Sequence, residues 1–277
     1  MGLAMGKIFA QQGMNIVLTD IEEGALDDAI AGFDAGAKVH GIVLDVADRA
    51  NWTAAADEAE RVFGKVHVLC NNAGVATGGV MHESSYEDWD WVLGVNLGGV
   101  VNGITTFIPR IKAHGEGGHI VNTASMAGFV ANAAGIYSTS KFAVVGLSEA
   151  LRPDLAPHNI GVSVLCPAFV ATNIYASVRN RPEDLTHGPG MDPAETAINK
   201  QMIGEGIPPE QVAQCVLAGV QSNSLYMFPH PEFSPVAEER FKQALAAMNE
   251  GDVNESQMGL AEGSITLIKN RHLRDID

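Results

Sequence analysis

Val66-His67-Val68-Leu69-Cys70-Asn71-Asn72-Ala73-Gly74 reads as a short strand running straight into a polar turn that ends in glycine. The apolar run Val66 to Cys70 is too short for a helix and bounded by turn residues, which suits a strand covered on both faces. Outward from it the same alternation repeats. Upstream lie a helix over 3–12 stopped at Gly13, a strand over 15–19 closed by Asp20, and a helix over 22–33. A strand over 39–44 closed by Asp45 and a helix over 50–63 stopped at Gly64 complete that side. Downstream come a long helix over about 86–113, a strand over 119–124, a helix over 136–157, and a strand over 161–166 ending at Pro167. A helix over 209–222, a strand over 225–228 and a helix over 235–248 follow. Strands alternating with helices predict an α/β fold, a doubly wound parallel sheet.

The 277 residues suit one domain with length enough to bury a core, and no internal repeat divides them. Residues 173–209 break the rhythm with Pro182, Pro189, Pro193, Pro208 and Pro209. A segment this long within a compact domain predicts a lid over a site. Residues from about 230 to 277 form a C-terminal extension, whose tail from Asn249 shows no clear pattern.

A formal charge of −16 opposes general affinity for nucleic acid or an anionic membrane surface. No uninterrupted apolar run approaches the roughly 18 residues that span a bilayer, and Met1 to Gly13 lacks a secretory pattern. Cys70, Cys166 and Cys215 sit in apolar patterns without metal-ligand spacing. They predict buried free thiols and a cytoplasmic protein, with no metal centre.

Tyr137 and Lys141 stand one helical turn apart, so phenol and ammonium project from one face. A phenol ordinarily titrates near ~10, and a cation held alongside favours its ionised form, making it usable for proton transfer. Taken alone, the pair also fits a solvated helix face. Asn72-Ala73-Gly74 after a buried strand, Asn96 in the long helix, and Ser125 closing a strand turn the balance towards a catalytic site. Asp20, closing the second strand of a nucleotide-binding unit, can accept hydrogen bonds from ribose hydroxyls and repel a 2′-phosphate. Its neighbours Thr19, Ile21, Glu22 and Glu23 include no arginine, which predicts NAD rather than NADP. Asp20 can cap the following helix at the same time.

Jointly, Asn71-Asn72-Ala73-Gly74, Asn96, Ser125, Tyr137-x-x-x-Lys141 and Pro167-x-x-Val170-x-Thr172 resemble the short-chain dehydrogenase/reductase family, from Gly2 to about Leu225. The resemblance implies that Asn96, Ser125, Tyr137 and Lys141 are catalytic. Ser125 would hold a substrate oxygen and Tyr137 exchange its proton. Lys141 would lower the tyrosine pKa and bond the nicotinamide ribose, and Asn96 would anchor a relay water. It further implies a cofactor surface of Gly2, Asp20, Ile21, Asp45, Val46, Asn72, Ala73, Gly74, Pro167, Val170 and Thr172, shared with Tyr137 and Lys141. Pro167-Ala168 replaces the family's usual Pro-Gly. The implied reaction interconverts a secondary alcohol and a ketone, acting on a small molecule, in a homotetramer or homodimer that packs helices 86–113 and 136–157 together. A nucleotide-sugar epimerase or dehydratase shares the Tyr/Lys pair but generally carries a larger substrate domain. A non-catalytic scaffold is the reading from a different class.

Gly2 matches the last glycine of the family's TGxxxGxG motif. The strand and glycines that would precede it are not in this sequence, so the sheet is expected to be one strand short and the pyrophosphate cradle weakened. Ser264-Ile265-Thr266-Leu267-Ile268 has strand composition and is the one segment that could fill the place.

Overall fold

The computed structural model describes residues 1–77, 80–131, 135–186, 193–250 and 258–272. The chain runs α1 (Gly2–Gln11), β1 (Ile16–Asp20), α2 (Glu23–Ala31), β2 (Val39–Val43), α3 (Arg49–Phe63) and β3 (Val68–Asn71). It continues through α4 (Tyr86–Leu93), α5 (Gly99–His114), β4 (Gly118–Thr123), α6 (Gly135–Leu155), β5 (Ile160–Leu165), α7 (Pro193–Gly204) and α8 (Pro209–Gln221). β6 (Tyr226–Met227), α9 (Ser234–Asn249) and α10 (Met258–His272) complete it. Every strand pairing is parallel.

Side chains leave the strands alternately to the two faces, and helices cover both. From β4 and β5, Ile120 and Val162 pack with Trp52 of α3, Phe107 and Ile111 of α5, and Leu155 of α6. Their neighbours Val121 and Leu165 turn the other way, onto Met5 and Phe9 of α1 and Val212 and Val216 of α8. Ile120, Val121, Val162, Val164 and Leu165 have no solvent exposure. Each such aliphatic contributes ~1.5–3 kcal/mol, so these two central strands hold the fold.

Pairing divides the strands into β1-β2 and β3-β4-β5-β6. Among the described residues no strand joins β1 to β3. A cavity of about 1420 Å³ passes between them, lined by Ile16 to Asp20 on one side and Val68 to Asn71 on the other. The sheet is thus one strand short, as the sequence predicts, and the strand edges along this slot lack a partner strand. Ser264–Ile268 does not fill it: the segment is helical, within α10.

Two further elements differ from the sequence reading. Within 173–209, short 3₁₀ turns at Asn173–Asn180 and Glu183–Leu185 precede α7, a helix missed because its prolines read as breakers. Pro193 is the first residue of α7, where a missing N–H costs nothing. Pro189 and Met191 of this segment lie outside the described residues. The long helix over 86–113 is interrupted by a π-helical turn at Gly94–Gly98. By length and a mean hydropathy of 1.4, the run Tyr86–His114 could cross a membrane. In this fold Trp91, Val92, Val100, Phe107 and Ile111 instead face the protein core.

Candidate active site

The carboxyl ends of β1, β3, β4 and β5 open on the same large cavity, and most residues singled out from the sequence line it. Asp20 and Ile21 leave β1, where the Asp20 carboxylate accepts the Glu22 N–H at 3.1 Å. Asp45 and Val46 follow β2: the Asp45 carboxylate accepts the Ala47 N–H at 2.9 Å. The Val46 carbonyl is held by Trp52 Nε1 and Asn102 Nδ2, each at 2.9 Å. Asn72, Ala73 and Gly74 leave β3; Pro167, Val170 and Thr172 follow β5; Gly2 begins α1.

Ser125 closes β4 in extended backbone and caps the turn Met126–Gly128, its Oγ accepting the Ala127 N–H at 3.1 Å. The same hydroxyl donates to the Pro167 carbonyl at 3.2 Å and is hydrogen-bonded to Tyr137. α6 brings Tyr137 and Lys141 to one face, with Nζ 5.4 Å from the phenol ring centroid. The Lys141 backbone lies so close to Gly128 that a Cβ there would stand 2.7 Å from the Lys141 carbonyl oxygen. Glycine at 128 lets the Ser125 turn seat directly on α6.

The electrostatics correct one sequence expectation. Lys141 is 2 % exposed, and its Nζ donates to the Thr123 carbonyl at 2.9 Å. Burial pushes its pKa down to about 8. Burial likewise raises the Tyr137 phenol, opposed by its hydrogen bond to Ser125. In this geometry the phenol stays above its ordinary value, because its own desolvation outweighs the hydrogen bond that opposes it.

Asn96 is fully buried on the π-helical turn and does not line the cavity. Its Oδ1 accepts the Val75 N–H at 2.8 Å, while Nδ2 donates to the Val75 carbonyl at 2.9 Å and to Ser140 Oγ at 3.0 Å. The side chain therefore pins the exit of the Asn-Asn-Ala-Gly turn onto α6. A second buried ladder runs from Asn71 to Asn122 at 2.8 Å and on to Ser148 at 3.0 Å, tying β3, β4 and α6 together.

The residues fit a nicotinamide dinucleotide. Asn72 Oδ1 and Thr123 Oγ1 are buried without hydrogen-bond partners, and both residues line the cavity. Leaving such groups unsatisfied is costly, and a polar ligand in the cavity relieves it. The N-terminus of α1 faces the same space, offering N–H groups with no intrahelical partner.

Two arginines of the 173–209 segment escaped the sequence reading, since nothing in the spacing of residues 179–181 signals a partner. Arg179 binds Glu22 at 2.6 Å and Asn180 joins the same carboxylate at 2.8 Å, which holds Glu22 below the usual carboxylate range. A guanidinium thus stands two residues from Asp20, despite the absence of a sequence neighbour of that kind. Arg181 pairs with Asp88 at 2.7 Å and lies over the Trp91 ring at 5.2 Å, anchoring its segment to α4. α4 begins with a Ser85–Asp88 capping box.

Cys70, Cys166 and Cys215 are free, and burial pushes the first two up to about 12. His67, His114 and Glu116 bring potential ligand atoms within 4.8 Å of one another, but they are engaged locally. His67 bonds Glu116 at 2.8 Å, and His114 lies between the Val66 carbonyl and the Glu116 N–H.

Comparison with known proteins agrees with this geometry. A family profile described as short chain dehydrogenase matches residues 1–183. A C alpha-dehydrogenase of Sphingobium sp. strain SYK-6 is 40% identical over 245 residues, covering 87% of this chain and 80% of its own. A cyclopentanol dehydrogenase of Comamonas testosteroni is 31% identical, covering 82% and 88% respectively. Among solved structures, a short chain dehydrogenase/reductase from Burkholderia phymatum in complex with NAD superposes with a TM-score of 0.84. It is 38% identical, with 92% of this chain and 94% of that one covered.

Proposed function

The chain belongs to the short-chain dehydrogenase/reductase family, and we propose that it interconverts a secondary alcohol and a ketone using NAD. The observation that carries the reading is the convergence of Ser125, Tyr137 and Lys141 on one wall of the dinucleotide cavity. The apolar residues Met126, Val130, Phe169, Tyr175 and Ile203 line the same cavity, which favours a small to medium, fairly apolar substrate. The names of the two dehydrogenase relatives agree with alcohol chemistry.

Bound NAD supplies the hydride acceptor for oxidation, and NADH the donor for reduction. Ser125 Oγ, set beside the Pro167 carbonyl, is placed to hold the substrate oxygen. Tyr137 donates its phenol proton to that oxygen in reduction and, as the phenolate, takes the alcohol proton in oxidation. The Lys141 ammonium offsets the negative charge that develops on the phenol as it gives up its proton. With the Asn96 side chain committed to Val75 and Ser140, a solvent link at this point runs through backbone groups of the π-helical turn.

The enzyme is read as cytoplasmic and as a homodimer or homotetramer that packs α4–α5 and α6 across an interface. Exposed Tyr86 and Val101 on those helices support that packing. The test is turnover of secondary alcohols, cyclopentanol among them, with NAD, followed by NADH formation. Tyr137→Phe is expected to abolish turnover while leaving the Kd for NADH within about threefold, since the phenol contributes to the transition state and not to ground-state binding. Retained turnover removes the tyrosine from the mechanism.

A further inference from the structure

His230, in the loop after β6, is 4 % exposed and lies far in sequence from Ser125, Tyr137 and Lys141. Its ring bridges the Pro167–Ala168 and Phe169–Val170 peptide groups: Nδ1 accepts the Ala168 N–H at 3.1 Å, and Nε2 donates to the Phe169 carbonyl at 3.0 Å. One nitrogen accepts while the other donates, which fixes a single neutral tautomer. The ring edge also meets Phe233 at 6.2 Å, and Phe233 lines the cavity beside Phe169.

The two ends of this clamp are not equivalent. The Phe169 carbonyl also accepts the Ile207 N–H at 3.0 Å, so it stays satisfied without the imidazole. Besides His230, the Ala168 N–H shows no acceptor among the described residues. Directly before Ala168, the Pro167 carbonyl accepts both the Met126 N–H at 2.8 Å and the Ser125 hydroxyl at 3.2 Å. A continuous path therefore runs from the imidazole through the Ala168 peptide to the Pro167 carbonyl and the Ser125 hydroxyl. Displacing the Ala168 peptide displaces the oxygen against which Ser125 is set.

We propose that His230 is a positioning residue, whose Nδ1 holds the Pro167–Phe169 turn, and through it Ser125, in register with the reacting carbon. The proposal rests on the dehydrogenase reading given above. Because misplacement by about an ångström can cost ~100-fold in rate, the effect should appear in turnover and not in affinity for the dinucleotide.

The test uses three variants of the full chain. His230→Phe keeps the ring and its contact with Phe233 but loses both hydrogen bonds. His230→Asn keeps an acceptor where Nδ1 lies, and His230→Gln keeps a donor near Nε2. His230→Phe is expected to lower kcat for the alcohol by about 10- to 100-fold, with the Kd for NADH changed by less than about threefold. His230→Asn should recover most of the loss and His230→Gln little of it. Amide hydrogen exchange provides a readout independent of catalysis: Ala168 should exchange faster in His230→Phe than in the parent. Equal rescue by Asn and Gln, full kcat in His230→Phe, or unchanged Ala168 exchange would each overturn the proposal. A parent chain that turns over no alcohol refutes the dehydrogenase reading, and the positioning role with it; the Ala168 exchange then decides the clamp alone.

Discussion

Lys141→Met should make this protein more stable and inactive at once. Keeping the ammonium charged in a site with 2 % exposure lowers its pKa from the ordinary 10.5 to about 8. That drop corresponds to ~3 kcal/mol of folding free energy lost at neutral pH. The bond from Nζ to the Thr123 carbonyl returns about 1–2 kcal/mol. Methionine, of similar length and apolar, removes both contributions and leaves a net gain of about 1–2 kcal/mol, or roughly 3–5 °C in Tm for a chain of this size. The sign of the pH dependence is diagnostic. Between pH 8 and 10.5 the folded parent has released the Lys141 proton while the unfolded chain still holds it, so the parent gains stability as pH rises. The advantage of Lys141→Met should therefore shrink from pH 7 to pH 10. Calorimetry of both proteins across that range measures it directly. A variant that melts below the parent at pH 7, or a difference that does not change with pH, would refute the assignment of Lys141 as a desolvated cation held for catalysis.

Asp20→Ser should raise kcat/KM with NADP relative to NAD by at least about tenfold, because the carboxylate that repels a 2′-phosphate is gone. Adding Glu22→Gln should raise the ratio further by loosening Arg179, and steady-state kinetics with both dinucleotides checks each step. Arg181→Met should cost about 3 kcal/mol, because it leaves the Asp88 carboxylate half-buried and unpaired; the added Asp88→Asn should recover much of that loss, as read by denaturant unfolding. Burial alone would raise Asp88, but the Ser85 backbone and Arg181 outweigh it and hold its pKa below the ordinary 3.8. The stability this group adds is accordingly complete above that value and lost as the pH falls through the lower, folded one, so acid unfolding of the parent and the double variant should differ there.

The fold was legible in the sequence because it rests on local patterns. Short apolar runs closed by Asp20, Asp45, Asn72 and Ser125 mark strand ends, and strand ends are where an open parallel sheet places its ligand. The four-residue step from Tyr137 to Lys141 fixes their common face without reference to anything else. α7 was not legible, because proline was read as a breaker where it begins a helix.

Distance in sequence marks the boundary. Composition, periodicity and spacing alone determined a parallel α/β sheet and the common face of Tyr137 and Lys141, while the grouping of residues at its carboxyl edge came from the family resemblance. Only the tertiary structure decided that Asn96 is committed to Val75, that Arg179 stands near Asp20, and that His230 grips Ala168. It alone decided that Lys141 and Tyr137 are pulled towards their neutral forms. Hydrogen bonds and desolvation depend on which atoms are brought close and which are removed from water, and chain spacing carries that information only within a turn or a strand.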